Sequence, residues 1–134
     1  MKTLIFILIT IFACDNNEKV NSVQNEFEVV SLIDLIANPE KYDGRKVMIK
    51  GYLNFSNEGH AIYLSKGDFD YGHYKNALYI NISDAEIIKR KINYTDNAHG
   101  TIIGIFSKDD LGHRRLFSGS LKKIEIIEWT EKRD

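Results

Sequence analysis

The chain has 134 residues, 18 of them basic and 19 acidic, for a formal charge of −1, with a single cysteine and a single proline. That length accommodates one hydrophobic core rather than two, and the balance of charge lacks the basic excess of a nucleic-acid footprint. One thiol excludes an intramolecular disulfide, so stability must come from packing.

The chain opens with Lys2 and an apolar run, Leu4 to Ala13, closed by Cys14 and followed by Asp15-Asn16-Asn17-Glu18. A cation, a short apolar stretch and a small residue form the layout of a secretory signal peptide. The run is shorter than the roughly 20 residues that span a bilayer. Ile11-Phe12-Ala13-Cys14 resembles the box of bacterial lipoproteins, in which the cysteine after a small residue is acylated and becomes the mature N-terminus. The alternative is an ordinary signal peptide, which leaves the position of the only thiol unexplained. The resemblance implies a signal peptide over 1–13, lipid attachment (palmitate-type acylation) at Cys14, and a protein held on a membrane by its acyl chains without crossing it. It also implies an address in the bacterial cell envelope, facing the periplasm or the exterior. Asp15 resembles the inner-membrane retention signal of one bacterial lineage.

Residues 14–28 are polar, without an apolar period, and read as a flexible tether to a domain over 29–131. Ser31 precedes Asp34 in a near capping box, with Leu32, Leu35 and Ile36 on one helical face, and Pro39 ends that helix near Asn38. Tyr42-Asp43-Gly44 is turn chemistry before an alternating strand, Lys46 to Phe55, whose Val47, Ile49, Leu53 and Phe55 share one side. Gly51, in its middle, marks a bulge or bend of the kind that lets one strand serve both halves of a small barrel. After the turn Ser56 to Gly59, His60 to Leu64 reads as the returning strand, Lys66 to Asn76 as a long loop, and Ala77 to Ile82 as a third strand. Ser83-Asp84-Ala85-Glu86 is a capping box opening a short helix that ends in basic residues. Thr101 to Phe106 is an apolar strand, Lys108 to Arg115 a polar hairpin loop, and Leu116 to Trp129 a last strand broken by Ser118-Gly119-Ser120.

This order, with the glycine inside the first long strand, resembles the oligonucleotide/oligosaccharide-binding (OB) fold. The expected class is mainly β: an OB-fold-like five-stranded Greek-key barrel with two short helices. The stretch from Asn38 through Gly51 is also similar to the opening of small uncharacterised bacterial barrel domains, a similarity that brings no catalytic residues with it.

Lys66 to Lys75 gathers Asp68, Asp70, Tyr71, His73 and Tyr74 in one loop, the best candidate for a recognition surface; the plainer reading is a solvated loop whose aromatics pack down on the barrel. His113, Arg114 and Arg115, in the loop before the last strand, could meet it, and cations beside aromatics hold anionic sugars or peptides. Asp68 and Asp70 lack the acid count of a calcium loop, and His60, His73, His99 and His113 lack zinc-ligand spacing, so neither metal nor cofactor is expected. Ser118-Gly119-Ser120 lacks the strand-to-helix elbow of a nucleophile, and a bulge explains it better. Asn81 and Asn93 match the glycosylation pattern by chance in a bacterial chain.

The expectation is a non-enzymatic binding module, its partners a membrane reached through the lipid and a peptide, glycan or protein ligand, with no nucleic acid. Two rivals remain: a small metal-dependent hydrolase using His60, Asp68, Asp70, His73 or His113, and a toxin-neutralising envelope protein.

Overall fold

A computed structural model describes residues 26–57 and 59–130. The signal peptide and Cys14 lie outside the described residues, as does the tether up to residue 25. Among the described residues no helix is long and apolar enough to cross a membrane.

The first elements are the two-residue strand β1 (Glu28–Val29) and helix α1 (Leu32–Ala37). Ser31 Oγ accepts the Asp34 N–H at 3.1 Å, capping α1, which buries Leu32 and Leu35 and leaves Ile33 exposed. Pro39 opens the single-turn helix α2 (Pro39–Tyr42), where its missing N–H is harmless. Tyr42 OH reaches back to the Asp34 carboxylate, joining the two helices. A turn then leads into β2 (Lys46–Ser56) and β3 (Gly59–Tyr63).

Helix α3 (Lys66–Asp70) and a 3-10 turn (Tyr74–Asn76) precede β4 (Ala77–Ile80), and α4 (Asp84–Lys89) precedes β5 (Asn97–Ser107). A second 3-10 turn (His113–Arg115) leads to β6 (Ser120–Trp129). Antiparallel pairings join β2 to β3, β3 to β4, β5 to β6 and β2 to β5, while β4 and β6 run parallel, so the pairings return to β2 and form a ring. β1 lies outside it, parallel to β2, with Glu28 opposite Val47.

Alternation in the strands sends Val47, Ile49, Leu53 and Phe55 inward to meet Ile62, Leu78, Ile80, Ile102, Phe106 and Leu121, with Leu35 of α1 and Ile87 of α4 in the same core. Burying each such side chain stabilises the fold by roughly 1.5–3 kcal/mol before the entropy of ordering it is counted. Gly51 faces Gly100 across the β2–β5 pair, and a Cβ on Gly51 would lie 2.5 Å from the Tyr63 carbonyl oxygen. Pairing with β3 begins at the next residue, Tyr52, so the glycine sits where β2 turns to meet its second neighbour.

Several elements differ from their sequence pattern. Among the described residues there are six strands rather than five, because Glu28, expected as the end of the tether, and Val29 form a short strand beside β2, and four short α-helices rather than two. The extra helices are single turns started by Pro39 and by Ser65, too short to show an apolar period. β5 begins at Asn97 because nine consecutive partners on β2 extend it through residues of low strand propensity. β6 begins at Ser120, and its irregularity lies further along: the register against β5 slips between Ile103 and Ile105, beside Lys123 at φ 47°. Arg90 spans that slip, donating to the carbonyls of Ile124 and Glu125 at 2.7 and 3.2 Å.

Candidate binding groove

Where β2 pairs with β3 and β3 with β4, the positions that alternate with the core are occupied by Tyr52, Asn54, Ala61, Tyr63, Ala77 and Tyr79, and the charged outward residues of β2, Lys46 and Lys50, lie before this stretch. Ala61 and Ala77 leave room between the rings. Phe69 of α3 fills part of that room, with ring centroids 5.5 Å from both Tyr52 and Tyr63, and Phe117 packs 5.7 Å from both Tyr74 and Tyr79. A second apolar cluster thus lies outside the ring of strands.

Two carboxylates hold the loops that build it. Asp68 Oδ2 accepts the Ser65 hydroxyl at 2.7 Å, and its Oδ1 accepts Asn76 Nδ2 at 2.8 Å and lies 3.0 Å from His73 Nδ1. These bonds, that from Asn76 foremost, hold the Asp68 carboxyl below its ordinary pKa. Asp110 ties the other loop: it accepts Asn81 Nδ2 and the Gly112 N–H, both at 3.2 Å, and Lys122 Nζ lies at 3.5 Å. Burial pushes the Asp110 carboxyl up, but the Ser120 hydroxyl nearby, the hydrogen bonds from Gly112 and Asn81 and the charge of Lys122 outweigh it and leave the pKa lowered. Gly112, at φ +66°, lies directly on Tyr79, where a Cβ would approach the ring to 2.5 Å. Arg114 and Arg115 follow at φ 53° and 56°, left-handed conformations that non-glycine residues seldom adopt and that concentrate at functional loops.

Between the loops and the β2–β3 turn lies a groove of about 890 Å³. Tyr63 and Tyr79 line its sheet side, and Phe69, Tyr74 and Phe117 also contribute to it. Side-chain amides and a hydroxyl, from Asn54, Ser56 and Asn57, come from β2 and the turn after it, and His113 and Arg114 from the loop before β6. His60 and Asp84 also line it, with Gly59, Ile82 and Leu116. Burial, with a smaller contribution from Tyr74, pushes the Tyr63 phenol up to about 12, so it stays a neutral hydroxyl at physiological pH. The mixture of aromatic faces with amide, hydroxyl, guanidinium and carboxylate groups is recognition chemistry: rings bury apolar surface and the polar groups fix orientation.

Of the residues singled out from sequence, Tyr74, His113 and Arg114 line this groove together. Asp68 turns inward to its own loop, Asp70 pairs with Lys66 at 2.7 Å, and Tyr71, 82 % exposed, stacks on His73. His73 lies with Tyr74 and Leu116 around a smaller cavity of about 550 Å³, and Arg115 lies outside the lining of both. Among the described residues no three His, Cys, Asp or Glu side chains come together as metal ligands. Sequence reasoning missed Asn54, Tyr63, Phe69, Tyr79, Asp84 and Phe117. The available signal was a tyrosine at an outward position of each of three strands, Tyr52, Tyr63 and Tyr79. No family model, curated protein or solved structure matches the chain.

Proposed function

We propose that this chain is a non-enzymatic binding module held at a bacterial envelope membrane by lipid on Cys14, and that the groove is its ligand-binding surface. We also read the ring of strands as an OB-type Greek-key barrel. What supports that reading is the circuit β2-β3-β4-β6-β5 returning to β2, the parallel β4–β6 pair, and α4 between β4 and β5. In barrels of that type the sheet face and its flanking loops take the ligand.

The observation that carries the binding role is the convergence on one groove of side chains from β2, the Lys66–Asn76 segment, β4 and the loop before β6. Asp68 and His73 bond to each other within their own loop rather than reaching the groove, whose own carboxylate and imidazoles are Asp84, His60 and His113. The near balance of charge favours a peptide, glycan or protein ligand over nucleic acid.

The test is crosslinking capture from the producing cells with the wild-type chain, with Tyr79→Ala and Arg114→Glu in the groove, and with Tyr71→Ala outside it. A specific adduct should survive in Tyr71→Ala and be lost in the groove variants; an adduct retained in all of them refutes the groove. Cys14→Ser should release the chain from the membrane fraction, and unchanged sedimentation with membranes refutes the anchor.

A further inference from the structure

His60 lines the groove while its ring packs against Phe55 of the main core. It follows Gly59 at the start of β3, opposite Phe55, and is 7 % exposed. Its ring lies between Phe55, at a centroid distance of 5.4 Å, and Tyr94, stacked nearly parallel at 5.9 Å. Nδ1 is enclosed and has no hydrogen-bond partner among the described residues. A neutral imidazole tolerates this with Nδ1 as a bare lone pair and the proton on Nε2. A second proton would create a buried cation and an N–H without an acceptor, both costly in such a slot.

The charged groups around it are few. Asp84, in the first turn of α4, lines the same groove and accepts the Tyr94 hydroxyl at 3.0 Å. Asp96, on the loop that carries Tyr94, is engaged by the Asn93 N–H at 2.8 Å. His113 and Arg114 belong to the loop before β6, and Phe55 on β2 brings no charge. Glu58, in the β2–β3 turn, lies outside the described residues.

We propose that His60 is a proton-operated gate of the groove: protonation drives its ring out of the slot between Phe55 and Tyr94 toward the Asp84 carboxylate, obstructing the groove and releasing ligand in mild acid. This rests on the groove being the binding surface. The exchange is one of hydrogen bonds: Asp84 gives up the Tyr94 hydroxyl and takes the imidazolium N–H, and Tyr94 loses its stacking partner. Burial already holds the His60 pKa below 6.5, against a smaller opposing pull from Asp84, so the gate stays shut to protons at neutral pH.

The experiment is a fluorine NMR titration of the full chain in detergent micelles, with 3-fluorotyrosine in place of tyrosine and Tyr94 and Tyr79 assigned by Tyr→Phe variants. Both resonances should shift with one shared midpoint below 6.5. Both should lose that titration in His60→Phe, which fills the slot without a nitrogen, and keep it in Glu58→Gln. Should His60→Phe fold poorly, His60→Gln serves the same comparison. A flat Tyr94 signal, a titration that survives removal of His60, one abolished in Glu58→Gln, or movement of Tyr94 without Tyr79 overturns the gate. No ligand is needed, so this result stands apart from the capture experiment: the groove can bind without a gate, and the ring can move in a groove that binds nothing.

Discussion

Removing the Asp68 carboxylate should unfasten the segment that brings Phe69 and Tyr74 to the groove while leaving the core of the ring in place. The carboxylate is bonded to Ser65 at 2.7 Å and Asn76 at 2.8 Å and lies 3.0 Å from His73, and the Asp68 backbone carbonyl takes the His73 N–H at 2.8 Å. A hydrogen bond to a charged group contributes about 1.5–3 kcal/mol, but the His73 side chain is largely exposed and contributes little, and bonds to one carboxylate do not add fully. Asp68→Ala should therefore cost about 2–3 kcal/mol, which for a domain of this size lowers the melting temperature by roughly 10 °C. Urea unfolding followed by far-UV circular dichroism measures it. The folded spectrum should keep its strand signal, because the carboxylate's bonds all lie within the Ser65–Asn76 segment. The pH dependence fixes the cause. The folded pKa of Asp68 lies below the ordinary 3.8, so the stabilisation is complete above that value and disappears as pH falls through the folded pKa. The gap between wild type and Asp68→Asn should accordingly close in acid. A loss below about 0.5 kcal/mol for Asp68→Ala, or a gap independent of pH, would show that Phe69 packing alone orders the segment.

Asp110→Asn should act on the opposite loop: its depressed carboxyl stabilises above pH 3.8 and ceases to as pH falls through the folded value, and amide exchange at Gly112 should quicken in the variant. Unchanged exchange would refute its anchoring of the loop. Gly112→Ala puts a Cβ 2.5 Å from the Tyr79 ring at φ +66°, so it should destabilise by about 1–3 kcal/mol and displace the loop. A variant as stable as wild type, with the Tyr79 resonances unmoved, contradicts the close approach. Gly51→Val should do more, since its branched side chain would meet the Tyr63 carbonyl oxygen and Ile62 at the point where β2 changes neighbours; soluble protein with wild-type stability would be the disproof.

What sequence could show was whatever repeats locally. Val47, Ile49, Leu53 and Phe55 alternate because one side of β2 is buried, and Ser31 and Ser83 cap helices through the residue three positions on. Gly51 could be recognised as a bend because glycine inside an apolar strand has few other reasons to be there. The helix Lys66–Asp70 is capped in the same way, by Ser65 through Asp68, but it buries no residue and so shows no apolar period beside the cap. Asp68 and His73 looked like ligand-binding groups on composition, yet each satisfies the other within the loop. The groove was hidden for a different reason: Asn54, Tyr79 and Arg114 are distant in sequence and meet only because β4 pairs with β3 on one side and β6 on the other.

Alternation assigns the outward face of a strand to solvent, and here that default fails in an informative way. Tyr52, Tyr63 and Tyr79 stand where charged residues are usual, and two loops lay Phe69 and Phe117 over them. The cluster is only partly closed. The fold leaves Tyr74 41 % exposed and Tyr79 half-buried beside a rim of Asn57, His113 and Arg114, and it holds Arg114 in a left-handed conformation. Exposed aromatic surface and a strained cation beside it both oppose folding, and both become favourable once another molecule covers the rings and pairs with the guanidinium. On the binding reading proposed above, a ligand over Tyr74 and Tyr79 would complete the closure that Phe69 and Phe117 begin.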